Sequence, residues 1–152
     1  MGEIASEEIN RATARPDGAG AGAGDDYGWD DCEGLVEFGS DEGDADTICE
    51  QHTLPLFEWE HVPGECSAII GGYVYRGLEA PAWHGLYIGG DWCGSYIFVL
   101  GPTGDFRMVV TVERINSFGT DAAGELYATS DNGDVHRLML LGPAPAIIEK
   151  PT

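Results

Sequence analysis

Leu86-Tyr87-Ile88-Gly89-Gly90-Asp91-Trp92-Cys93-Gly94-Ser95-Tyr96-Ile97-Phe98-Val99-Leu100 decides the reading of this chain. Two β-branched and aromatic runs flank a Gly/Asp-rich break, the pattern of an antiparallel hairpin. The pattern returns. Leu86-Tyr87 and Asp91 recur as Leu126-Tyr127 and Asp131, 40 residues on (126 − 86). Ile97, Phe98 and Leu100 match Val135, His136 and Leu138, 38 residues on (138 − 100), so the difference falls in the turn. A strand–turn–strand unit recurring at this interval suits a propeller blade of roughly 40–50 residues.

Outward from these hairpins, residues 68–75 and 106–112 are also rich in β-branched and aromatic side chains. Pro102-Thr103-Gly104-Asp105, Ala122-Ala123-Gly124 and Asp131-Asn132-Gly133-Asp134 punctuate the runs as turns. No window after residue 60 carries a 3.6-residue period, so residues 68–142 are expected to form two blade-like antiparallel sheets with residues 143–152 as a tail. Toward the N-terminus the signals thin. Leu54-Pro55-Leu56-Phe57-Glu58-Trp59 reads as an edge strand, the place where Pro55 is tolerated. Residues 25–67 otherwise read as an acidic loop region, and residues 1–24 as a polar connector ending in a Gly/Ala run. Glu7-Glu8-Ile9-Asn10 has the composition of a short helix start but too little apolar periodicity to fix one.

Charge excludes one class of partner. With 27 acidic and 7 basic residues the formal net charge is −20. Such a surface repels nucleic acid and anionic lipid, because it has few cations to replace phosphate counterions. No segment is long and apolar enough to span a bilayer. Cys32, Cys49, Cys66 and Cys93 form no CxxC pair and fit no common zinc spacing. Four spaced cysteines in a β-rich chain read as two disulfides, which implies an oxidising compartment. Residues 1–24 contain no apolar stretch of signal-peptide length. Two alternatives follow: free thiols in the cytosol, or a secreted protein whose leader lies upstream of Met1. The second is the expectation.

A set of motifs in order resembles one family. Glu7-Glu8-Ile9-Asn10, Tyr27-Gly28-Trp29 with Glu33-Gly34, and Gly71-Gly72-Tyr73-Val74-Tyr75-Arg76-Gly77 are three of them. Residues 86–98, and Ser117-Phe118-Gly119 with Gly124-Glu125-Leu126-Tyr127, complete the set. Together, over residues 2–142, they resemble the C-terminal part of the glucose/sorbosone dehydrogenase family. That family includes pyrroloquinoline quinone (PQQ)-dependent aldose sugar dehydrogenases and hedgehog-interacting-protein-like proteins. The resemblance implies an all-β fold, the last two or so blades of a six-bladed β-propeller. It implies disulfides Cys66–Cys93 and, by the same pairing, Cys32–Cys49. It implies a secreted or periplasmic protein, a sugar substrate for the whole enzyme, and PQQ with calcium as cofactors.

The chemistry the resemblance implies is oxidation of a sugar C–OH, in which a histidine base removes the hydroxyl proton as hydride passes to the quinone. That histidine belongs to blades earlier than those matched here. His52, His61, His84 and His136 all lie outside the matching motif, so no catalytic residue is assigned to this chain. Arg76 takes the position of a lysine that contacts PQQ carboxylates, and a guanidinium suits such a carboxylate. The plainer reading of Arg76 is a surface ion pair. Tyr96 stands where relatives carry a second basic residue, an arginine. Residues 41–46, Asp-Glu-Gly-Asp-Ala-Asp, have the acidic composition of a calcium loop. Counting from Asp41 puts His52 at position twelve, where an EF-hand needs a glutamate, so no metal ligand is assigned. Far-UV circular dichroism is expected to show a β-dominated spectrum, and a helix-dominated one would overturn this reading.

Overall fold

The computed structural model describes residues 6–37 and 48–144. Every regular element longer than one turn is a β-strand, and the only helical segments among the described residues are 3-10 turns at Cys49–Gln51 and Pro81–Trp83. No helix among the described residues is long and apolar enough to cross a membrane. The chain forms two compact units, Met1–Glu65 and Cys66–Thr152.

The first unit is built on short strands. β1, Ser6–Ile9, pairs antiparallel with β4, Phe57–Glu60, from Ser6↔Glu60 to Ile9↔Phe57. Between them in sequence, β2 (Cys32–Glu33) and β3 (Val36–Glu37) form a minimal hairpin. The Glu7–Asn10 segment is therefore a strand and not a helix start. Residues 6–9 alternate poorly because Ser6, Glu7 and Ile9 are all buried. Their polar groups are met across the chain. Ser6 Oγ donates to Glu58 Oε1 at 3.0 Å, the Gly34 N–H to Glu8 Oε2 at 3.1 Å and the Leu35 N–H to Glu58 Oε1 at 3.0 Å. Carboxylates thus bind the hairpin turn, where Gly34 takes φ +65°. The expected edge strand at 54–59 begins three residues later, beyond Pro55, which lacks the N–H a ladder needs. Cys32 is bonded to Cys49, with Cα atoms 5.8 Å apart.

The second unit holds two antiparallel sheets. β5 (Ile69–Val74), β6 (Tyr87–Asp91), β7 (Tyr96–Leu100) and β8 (Phe106–Thr111) run side by side in sequence order. β9 (Ile115–Thr120), β10 (Leu126–Ser130) and β11 (Val135–Arg137) form a second meander of three strands. β5 lies against β9. In β7, Ile97–Leu100 is wholly buried, because Ile97 and Val99 face the core with Ile88, Ile115 and Leu126 while Phe98 packs on Phe106 at 5.2 Å between centroids. Glycines 89 and 90 permit this closeness. A Cβ at Gly89 would sit 2.7 Å from the Phe98 ring, and one at Gly90 3.1 Å from Ile115. The strand that repeats at Val135, His136 and Leu138 ends at Arg137, although Leu138 N–H still donates to Leu126 O at 2.9 Å.

Cys66 is bonded to Cys93, with Cα atoms 5.5 Å apart and a sequence separation of 27. Loop-closure entropy for a ring of that size is about 3.5 kcal/mol, so the Cys66→Ala/Cys93→Ala double variant should lose about that stability in urea unfolding. In the same assay Leu126→Ala, which empties a fully buried site, should cost about 2–5 kcal/mol.

Candidate functional site

Tyr75-Arg76-Gly77 leaves the last residue of β5 and crosses to the start of β10. Tyr75 is buried, and its hydroxyl donates to Glu125 Oε2 at 2.8 Å while accepting the Ala80 N–H at 3.1 Å. The other carboxylate oxygen of Glu125 accepts the N–H groups of Leu78 (2.9 Å) and Glu79 (3.0 Å). These bonds hold the Glu125 carboxyl below the ordinary glutamate range, the Glu79 N–H contributing most. Gly77 is required here: a Cβ would come within 2.6 Å of both the Tyr75 hydroxyl and Glu125 Oε1. Asp121 prepares the partner strand by accepting the N–H groups of Ala123 and Glu125, both at 2.9 Å, and its carboxyl too is held low, first by Glu125 N–H.

This clamp fixes the backbone on both sides of Arg76 and leaves its side chain exposed. Arg76 Nη1 donates to Tyr75 O at 3.0 Å, and among the described residues the guanidinium has no ion-pair partner. The surface ion pair weighed from the sequence is thus absent among those residues. His84 bonds the Gly77 carbonyl through Nε2 and belongs to the same loop.

The opposite end of the sheets carries a second polar network. Buried Asp91 accepts Ser67 Oγ (2.9 Å), the Ala68 N–H (3.1 Å) and the Gly94 N–H. Asp131, its repeat counterpart, accepts Trp92 Nε1 (2.7 Å) and Asn116 Nδ2 (2.8 Å) and pairs with Arg114 Nη2 at 3.3 Å. The Arg114 guanidinium lies 4.6 Å from the centre of the Trp92 ring. The Trp92 indole, then Asn116, lowers the Asp131 pKa. Tyr96 is half-buried beside Asp91, and burial, then that charge, pushes its phenol to about 12.

Strand register separates the two positions singled out for PQQ. Val74 pairs with Tyr87, whereas Ile69 pairs with Asp91 and Asp91 with Tyr96. Arg76 therefore projects beyond one end of the four-stranded sheet and Tyr96 stands at the other. Tyr96 is neutral at ordinary pH and supplies no positive charge. Among the described residues, the two positions that the resemblance compares with cofactor contacts, Arg76 and Tyr96, are not brought together. No cluster of three His, Cys, Asp or Glu side chains among the described residues is placed to hold a metal ion. The 41–46 acidic stretch lies outside the described residues.

The histidines are dispersed. His52 sits 3.4 Å from Asp26 and 3.5 Å from Asp31, His61 lies 3.5 Å from buried Glu7, and His136 is half-buried on β11. Sequence reasoning missed the Glu125 clamp and the Trp92–Arg114–Asp131 network. The repeat of Asp91 at Asp131 was visible, but not which side chains each would meet. No family model matches the chain, and no solved structure matches it.

Tyr75→Phe removes the hydroxyl that serves both Glu125 and the Ala80 N–H, and should cost about 1–3 kcal/mol by leaving a buried donor unpaired. Because Glu125 is lowered in the folded state, its contribution is present above the unfolded glutamate pKa. It is lost as pH falls through the lower folded value. Urea midpoints measured down that range should fall in the wild type and fall less in Glu125→Gln.

Proposed function

We propose that residues 66–144 are two successive blades of a secreted β-propeller resembling the PQQ-dependent glucose/sorbosone dehydrogenases, and that they have no turnover of their own. The observation that carries this reading is the Glu125 clamp. It joins the Gly71–Gly77 and Gly124–Tyr127 motifs, on which the resemblance rests, at the junction of two adjacent meanders. A propeller needs such a junction, since each blade is covered by its neighbours. The two disulfides support an oxidising, secreted or periplasmic setting. In this reading a sugar is the substrate of the whole propeller, PQQ and calcium are its cofactors, and Arg76 meets one PQQ carboxylate.

One observation favours a second reading, a propeller of the same build used for binding and not for catalysis. Arg76 and Tyr96 stand at opposite ends of the sheet, and Tyr96 brings no charge. Fold alone does not decide between them.

The chain is to be incubated with PQQ, Ca²⁺, a panel of aldoses and a redox dye, while PQQ binding is followed by calorimetry. The expected result is no turnover above a protein-free control and weak PQQ binding that Arg76→Ala abolishes. Turnover by the chain alone would overturn the proposal. PQQ binding indifferent to Arg76→Ala would remove the cofactor role of that residue, and no PQQ binding would leave the binding-propeller reading.

A further inference from the structure

Asn10, Asn116 and Asn132 are the asparagines of the chain, and only Asn132 is followed by glycine. The following residue matters because its backbone nitrogen is the nucleophile that can reach an asparagine carboxamide. A side chain on that residue crowds the attack, as Arg11 does after Asn10 and Ser117 after Asn116; glycine has no Cβ to do so. No described atom lies within 4 Å of where a Gly133 Cβ would stand. Asp131 to Asp134 are exposed at the tip of the β10–β11 hairpin, so water reaches the pair. Asn116, in contrast, has its carboxamide engaged at both ends, accepting Thr129 Oγ1 at 2.6 Å and donating to Asp131 Oδ1 at 2.8 Å.

The closed turn restrains both reactants. Gly133 N–H donates to Ser130 O at 3.0 Å, and Asn132 Oδ1 accepts the Asp134 N–H at 3.2 Å and the Ser130 hydroxyl. The Gly133 nitrogen has to give up the proton it directs at Ser130 O before it can attack. Ring closure therefore waits on local opening of the turn, and its rate scales with the open fraction.

We propose that Asn132–Gly133 is a deamidation site gated by the β10–β11 turn. Gly133 N passes its proton to a solvent base and bonds to Asn132 Cγ. The Cγ–Nδ2 bond then breaks, and that nitrogen leaves, protonated, as ammonia. Water opens the resulting cyclic imide. Attack at Cγ gives aspartate, and attack at the main-chain carbonyl carbon gives isoaspartate. The sum is a water consumed and an ammonia released, with nothing oxidised or reduced. Isoaspartate routes the backbone through the side chain and lengthens the turn by a carbon. The closing bonds Gly133 N–H to Ser130 O and Ser130 N–H to Asp134 O then lose their register. Asp131 lies in the same turn and anchors Trp92, Asn116 and Arg114, so the product loosens that network together with β11. The inference is independent of the sugar-dehydrogenase reading.

The full chain, disulfides intact, is to be incubated at one mildly alkaline pH, folded in buffer and unfolded in urea. Peptide mapping by mass spectrometry, with fragmentation that separates isoaspartate from aspartate, follows all three asparagines. Conversion is expected at Asn132 ahead of Asn10 and Asn116, to both products, and at least about tenfold slower in the folded chain. Ser130→Ala removes a restraint on the carboxamide. It should speed the folded reaction about two- to tenfold, the worth of a hydrogen bond, and leave the rate in urea unchanged. If that variant fails to fold, the folded and urea rates of the unaltered chain decide. No conversion at Asn132 in urea, aspartate as the sole product, or equal rates with and without urea overturns the proposal.

Discussion

A carboxylate can stay between two sheets only if its oxygens are answered by donors. Glu125 is buried where β10 begins and meets three donors, the Tyr75 hydroxyl and two backbone N–H groups of the following loop. Those bonds decide where the chain goes after β5. Gly77 has to be glycine because Tyr75 and Glu125 occupy the space its side chain would take. The 3-10 turn at Pro81–Trp83 follows from the loop so placed, and Trp83 then closes the core over Leu86 and Ile97. The alignment of one meander on the other rests on this polar clamp as well as on the apolar contacts of Ile88, Ile115 and Leu126.

The acidity of the chain has a second meaning in this light. A net charge of −20 keeps molecules apart in solution. Yet several carboxylates serve as fixed acceptors inside the fold. Glu8 and Glu58 hold the β2–β3 turn, Asp91 holds the segment after Cys66, and Asp121 holds the turn before β10. Glu7 and Glu33 are buried as well, whereas acids such as Glu50, Glu60 and Glu65 lie on the surface.

Functionally, the two ends of the sheets differ. One presents Arg76, an exposed cation on a backbone locked by Glu125. At the other, Asp131, Trp92 and Arg114 answer each other, while Asp91 is met by Ser67, Ala68 and Gly94. A cation on a rigid loop suits recognition of an anion, and in the proposed propeller that anion is a cofactor carboxylate. The Trp92–Arg114–Asp131 network has the character of a tie between sheets, since every group it contributes is engaged within the molecule.

The all-β class, the hairpin around Asp91, the run of β7 and the turns at Gly104 and Gly133 were legible in the sequence, because period, β-branching and turn chemistry are local properties. The repeat placed Asp131 as the counterpart of Asp91 for the same reason. β9 was not read as a strand, since Ile115-Asn116-Ser117-Phe118-Gly119-Thr120 buries only Ile115 fully and shows weak alternation. β1 and the β2–β3 hairpin were not read either, for their stabilising partners are carboxylates 23 to 52 residues away. Tertiary structure alone placed Arg76 and Tyr96 at opposite ends of the four-stranded sheet and ended the second meander, among the described residues, at β11. Register and pairing decide both, and these depend on contacts between distant residues that no local pattern encodes.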